Sequence, residues 1–160
     1  MFNNGVLQVE NVSSVTAVNS VSIGEMVWNN GNEYIYCYNG GGEARQGAVV
    51  VLSGVSSYTF VATAATGADT TLQAFGVVKN ATVATANYAW ICTRGFVSVN
   101  NAANGPAVVT GDHIIIDSTG YCRRATYTSS LTQIVAQGVI GKALNSAASN
   151  ASIPVYICLG

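Results

Sequence analysis

The sequence predicts an all-β protein: a single compact β-barrel or β-sandwich of two pseudo-repeated halves, preceded by an extended N-terminal arm. Three observations predict it. Helical periodicity is almost absent along the 160 residues. Short runs rich in Val, Ile, Thr and Tyr are separated by Gly, Asn, Ser and Asp, the pattern of strands and turns. Finally, "YAWICTRG" at 88–95 returns in shorter form as "VYICLG" at 155–160, as though one strand had been written twice. The length is that of one domain, sufficient to bury a core without metal or disulfide staples.

The elements follow in chain order. Residues 1–20, "MFNNGVLQVENVSSVTAVNS", alternate only weakly and contain no turn signal that would close them into a hairpin. We read 1–22 as an arm that becomes ordered on a partner or a neighbouring subunit, and 23–160 as the β domain. The stretch "GEMVWNNGNEYIYCYN" is a hairpin, because Asn30-Gly31 suits a type I′ turn, which needs positive φ at both central residues. Its second strand places Tyr34, Tyr36 and Tyr38 on one face and Ile35 and Cys37 on the other. Gly40-Gly41-Gly42 then leads into the first repeat, about 47–95, with the second at about 111–160.

Each repeat reads as strand, turn, strand, a variable Ala/Thr/Ser stretch, strand, loop and final strand. The expected anchors are Gly47 with Gly111, Gly76 with Gly141, Lys79 close to Lys142, and Cys92 with Cys158. The same alignment sets His113 against Val49. Two copies are too few for a solenoid, so the halves are expected to cover each other's apolar faces. Pro154 stands just before the last strand, where its missing N–H costs no ladder bond.

Composition narrows the function. Apolar residues make up 49% of the chain and charged residues only 8%, against roughly 25% in ordinary globular domains. With a net charge of −1, the surface must be made of Asn, Ser, Thr and Gly, which suits a protein packed against neighbours. Six Lys and Arg residues are too few and too scattered for nucleic acid. Neither a secretory leader nor an apolar run of roughly 18 residues is visible. The expectation is a cytosolic product that stays there or leaves inside a larger particle, with no membrane partner and its thiols reduced.

No catalytic or metal motif emerges. Cys37, Cys92, Cys122 and Cys158 lack the close ligand pairs of structural zinc, and we expect buried thiols acting as small hydrophobes. Sequence alone leaves a Cys92–Cys158 bridge open, since it depends on Cα separation. His113, the single histidine, could act as a base only with Asp112 or Asp117 orienting it and a serine attacking. No G-x-S-x-G elbow accompanies it, so it reads as a strand residue. The scattered carboxylates form no calcium loop, and Gly40-Gly41-Gly42 precedes Glu43 rather than a phosphate-binding Lys. Arg123-Arg124 reads as a rim salt-bridge pair. No metal or cofactor is expected.

The segment "YAWICTRGFVSVNNAANGPAVVTGDHIIIDSTGYCRRAT", with "GVIGKAL" and "VYICLG" after it, resembles the capsid cement, or head decoration, proteins of tailed bacteriophages. The resemblance covers roughly 47–160. It rests on Trp90 and Gly95 in one strand, Gly111-Asp112 and Gly120 around the next, Ile140-Gly141-Lys142-Ala143-Leu144, and the apolar final strand. The cysteines, the tyrosine-rich hairpin and the arm depart from the pattern.

The resemblance implies a non-enzymatic virion protein, made in the host cytoplasm, that binds the outside of a capsid and cements neighbouring capsomers. Its partners would be the major capsid protein and further copies of itself, in a homotrimer. Candidate contact residues are Phe2, Val6, Leu7 and Val9 in the arm and Trp28, Tyr34 and Tyr36 in the hairpin. The alternative is a carbohydrate- or receptor-binding β-module of a phage tail, fibre or capsid surface, with Trp28, Tyr34, Tyr36 and Trp90 stacking on sugars.

Overall fold

The computed structural model describes residues 15–17, 21–62, 74–102, 105–117, 120–125 and 139–159. Among them there is no α-helix, only one short 3₁₀ turn at Val55–Ser57. Ten strands form one mixed sheet: β1 Met26–Asn29, β2 Asn32–Asn39, β3 Val49–Gly54, β4 Thr59–Ala62, β5 Gly76–Val77, β6 Tyr88–Asn100, β7 His113–Ile116, β8 Cys122–Arg124, β9 Val139–Ala143 and β10 Ser152–Cys158. The all-β expectation holds. The sheet runs in the order β1-β2-β4-β3-β5-β6-β10-β9-β7-β8, with β2 also pairing β6. That extra pairing bends the first half of the sheet into a partial ring through β2, β4, β3, β5 and β6.

The strand order has an internal correspondence. From β4 to β8 it reads β4-β3-β5-β6 and then β10-β9-β7-β8, so β3, β4, β5 and β6 of the first half correspond to β7, β8, β9 and β10 of the second. Hydrogen bonds outside the strands repeat as well. Ala44 and Val83 exchange both backbone bonds at 2.9 and 2.7 Å, and Val108 and Ala147 exchange theirs at 2.7 and 2.9 Å. The Gly47 N–H donates to Val78 O at 2.7 Å, and the Gly111 N–H to Ala143 O at 2.8 Å. The glycine pair Gly76 and Gly141 also matches. A Cβ on Gly76 would strike the Cys92 carbonyl, and one on Gly141 the Tyr156 carbonyl, so both positions admit a close neighbouring strand.

These contacts correct two anchors. Val77 pairs with Cys92 in the first half, whereas Lys142 pairs with Tyr156 in the second. The counterpart of Cys92 is therefore Tyr156 rather than Cys158, and Lys142 corresponds to Val77 rather than Lys79. The coincidence of two cysteines in similar phrases misplaces the register by two residues, which preserves side-chain parity and so escapes a pattern reading.

The β1–β2 hairpin has the expected turn, with Asn30 at φ 49° and Gly31 at φ 76°. Two apolar clusters lie on opposite faces of β2 and β6. The larger contains Tyr34, Tyr36, Val49, Val77, Trp90, Cys92, Val97, Val99, Ile114, Ile140 and Ile153 among others, and so joins both halves. The smaller, inside the partial ring, holds Cys37, Val50, Phe60, Ala89 and Ile91. Of the residues assigned to the arm, Thr16 pairs with Tyr88 in an antiparallel bridge and Val15 packs against the smaller cluster.

Candidate interaction surface

Strand β6 decides where the core ends and the surface begins. Its first half is buried on both sides, because alternate residues face the two clusters. Opposite β2 the register slips: Tyr34 faces Cys92 but Glu33 faces Arg94, so Thr93 is an extra residue in β6. Thr93 is buried, and its hydroxyl donates to Glu33 Oε1 at 2.6 Å. Such a bulge reverses the alternation beyond it. Trp90 and Cys92 enter the larger cluster before the bulge, and Val97 and Val99 enter it after. Arg94, Phe96 and Ser98 then fall on the other face, beyond the reach of the smaller cluster, and are exposed.

The bulge is held by Asn32 and Gly95. Gly95 has φ 118°, and a Cβ there would run into the Asn32 side chain. Buried Asn32 accepts the Phe96 N–H on Oδ1 at 2.8 Å and donates to Asn30 O at 3.1 Å. The hairpin turn and the bend in β6 are thus tied through one side chain, and Phe96 is presented by it.

From Phe96 a row of cross-strand partners crosses four strands: Phe96 with Tyr156, Tyr156 with Lys142, and Lys142 with His113. Phe96 and Tyr156 are 57% and 42% exposed, with ring centroids 5.0 Å apart in an edge-to-face pair. A shallow depression of about 500 Å³, lined by His113, Val139, Lys142, Tyr156 and Cys158, lies on one side. Another of about 440 Å³, lined by Lys79, Phe96, Ser98, Leu144 and Pro154, lies on the other. The matching row of the first half, Tyr34–Cys92–Val77–Val49, is wholly buried in the larger cluster. One row of the repeat is thus core and its copy is surface.

The residues singled out from sequence are placed as follows. Phe2, Val6, Leu7 and Val9 lie outside the described residues. Trp28 is 57% exposed beside exposed Met26 on β1. Tyr34 and Tyr36 are in the core, 3% and 1% exposed, where no partner reaches them. Tyr36 stacks on Tyr88 at 5.9 Å and tilts against Trp90 at 5.1 Å, an aromatic cluster that closes β2 onto β6. The reason is that the tyrosine face of β2 is its larger-cluster face. The sequence reading missed Phe96 and Tyr156, although Phe96-Val97-Ser98-Val99 already alternates large or polar residues with valine.

Three cysteines are buried free thiols, but Cys158 is exposed, which corrects the expectation of burial for all four. Burial pushes the Cys92 thiol up to about 11, with Lys79 and a backbone hydrogen bond at Arg94 pulling the other way. It also pushes Cys37 and Cys122 well above the ordinary thiol value. Protonated thiols of this kind suit neither nucleophilic nor metal chemistry. Among the described residues no group of three His, Cys, Asp or Glu side chains could hold a metal ion. Asp112 and Asp117 lie 4.0 and 3.8 Å from Arg124 and Arg123, as the rim-pair reading expects, and Asp112 Oδ2 also accepts the Val109 N–H at 2.8 Å.

No protein-family model matches the chain, and no curated protein matches it either. Among solved structures the fold is similar to the head fiber gp8.5 N base of bacteriophage phi29, with a TM-score of 0.52 and 14% sequence identity. The match covers 78% of this chain and 93% of that one.

Proposed function

We propose that this chain is a non-enzymatic structural β-protein of a bacteriophage head, binding the outer surface of the capsid and bridging neighbouring capsomers. The observation that carries the reading is the fold likeness to a head fiber base, which extends over nearly all of that domain. The low charge and the exposed aromatic face accord with it, since the centres of protein interfaces are poor in charge and rich in aromatic residues. A protein that binds only the assembled lattice stabilises it by mass action, and many copies multiply modest affinities. Self-association into a trimer belongs to the same proposal. The sugar-stacking alternative loses support, because Tyr34, Tyr36 and Trp90 are buried and only Trp28 of that set is exposed.

Purified particles decide the matter. The expected result is many copies per head, with particles lacking the protein losing integrity at lower temperature or under milder osmotic shock. A few copies confined to the tail would refute the cement reading.

A further inference from the structure

We propose that the open face of β6, β10, β9 and β7 around Phe96 and Tyr156 is the docking surface, and that its occupant is an acidic patch on a protein of the phage head. The inference rests on the head-binding reading and adds to it the face and the partner's charge.

Charge placement carries it. Among the described residues Arg45, Arg123 and Arg124 each have a carboxylate within 4.0 Å. Lys79, Arg94 and Lys142 have none, and all three border the aromatic pair. Lys142 is the cross-strand neighbour of Tyr156. Arg94 stands opposite Cys158, on the same strand and face as Phe96. Lys79 lines the depression beside Phe96 and Pro154. Glu33 faces Arg94 in register but is engaged by the Thr93 hydroxyl, with no ion pair to Arg94. Lys79 lies over the Tyr34 ring at 6.0 Å, so it has an aromatic neighbour but no carboxylate. In a chain with only 8% charged residues, the cations without a carboxylate partner among the described residues thus collect on one face.

Shape and the internal repeat favour a protein partner. The face is a broad sheet with shallow depressions, whereas a small ligand calls for a concave pocket. Three dispersed cations are too few for a polyanionic strand, whose binding grows with each phosphate neutralised. Two aromatic rings at the centre with charges at the border match the layout of a protein interface. The equivalent row of the first half is completed by packing within the chain, while this copy has the same register and leaves Phe96 and Tyr156 exposed.

The test uses the full-length protein and heads assembled without it, with binding read by co-sedimentation over a range of protein and salt concentrations. Lys142→Glu with Arg94→Glu, and separately Phe96→Ala, should each weaken binding by roughly tenfold or more. Wild-type binding should weaken with salt, and the double variant should lose most of that dependence. Arg45→Glu, a single charge reversal at an exposed paired site, should bind as wild type. Alkylation of exposed Cys158 should slow when the unmodified protein is head-bound, a readout that needs no variant.

Unchanged binding by the double variant, or unprotected Cys158 on bound protein, would overturn the docking face and leave the head-binding reading intact. Wild-type protein that fails to bind heads would overturn both. If the variants dissociate an oligomer and head binding is unaffected, the face is a contact between copies and the acidic-partner inference fails.

Discussion

At the scale of single residues, burial sets the chemistry of the thiols and of Tyr34. Desolvation raises the Tyr34 hydroxyl to about 12, helped by Cys92 and opposed by a hydrogen bond from Asn80. Cys92 is raised to about 11, and Cys37 and Cys122 are raised by the same cause. The folded state therefore keeps protons that the unfolded chain releases above about pH 8.5. Stability from these groups is fully present below that value and falls as pH rises. The slope reaches about 1.4 kcal/mol per pH unit for each thiol still protonated in the fold. The expected outcome is a melting temperature that declines steadily between about pH 8.5 and 10.5. A Cys37→Ala, Cys122→Ala variant should start lower but decline less steeply. A midpoint that does not move over this range would contradict the assignment. The buried thiols were legible in the sequence as small hydrophobes on strands. Cys158 was not, because parity places it on a face but only the fold decides whether that face is covered.

At the scale of elements, the bulge in β6 turns a core strand into one that presents a surface. Asn32 and Gly95 hold that transition from two sides. Gly95→Ala forces a positive φ on a residue with a Cβ and drives that atom into Asn32. A cost of about 2–4 kcal/mol is expected. Asn32→Ala leaves the Phe96 N–H without its acceptor, for about 1–3 kcal/mol. Urea denaturation should show both losses. The double variant should lose less than the sum, because each change disturbs the same contact. Strict additivity would mean that the two residues act separately.

Much at this scale was readable beforehand. Asn30-Gly31 announced its turn, and the repeat announced the strand sequence of each half. The bulge was not read: Gly95 inside a strand hints at an irregularity, but the sequence does not say which neighbouring residue is the inserted one. Without it, Phe96 falls on the same face as Trp90 and Cys92, and the exposed row is invisible.

At the scale of the molecule, the sequence showed two halves but not how unequally they are supported. Among the described residues the first half has a cluster of its own inside the partial ring, while the second has only the larger cluster it shares. Ile114, Cys122, Ile140, Ile153, Val155 and Ile157 pack in that cluster with Tyr34, Trp90, Cys92, Val97 and Val99 from the first half. Removing those partners would expose the buried face that these residues form, so among the described residues the second half has no core of its own. The halves should therefore unfold together although each follows its own copy of the strand pattern.

The protein carries native reporters for this: Trp90 in the first half and the buried thiol of Cys122 in the second. Tryptophan fluorescence, read in a Trp28→Phe variant so that Trp90 alone reports, should lose its native signal at one denaturant midpoint. In a Cys37→Ala, Cys92→Ala, Cys158→Ala background, Cys122 should become open to alkylation at the midpoint that fluorescence gives in that same background. Coincidence is the expected result for a shared core. If Cys122 reacts at a clearly lower denaturant concentration, the second half opens on its own and the larger cluster is divisible. The docking row, anchored on β7, β9 and β10, would then sit on the less stable part of the domain.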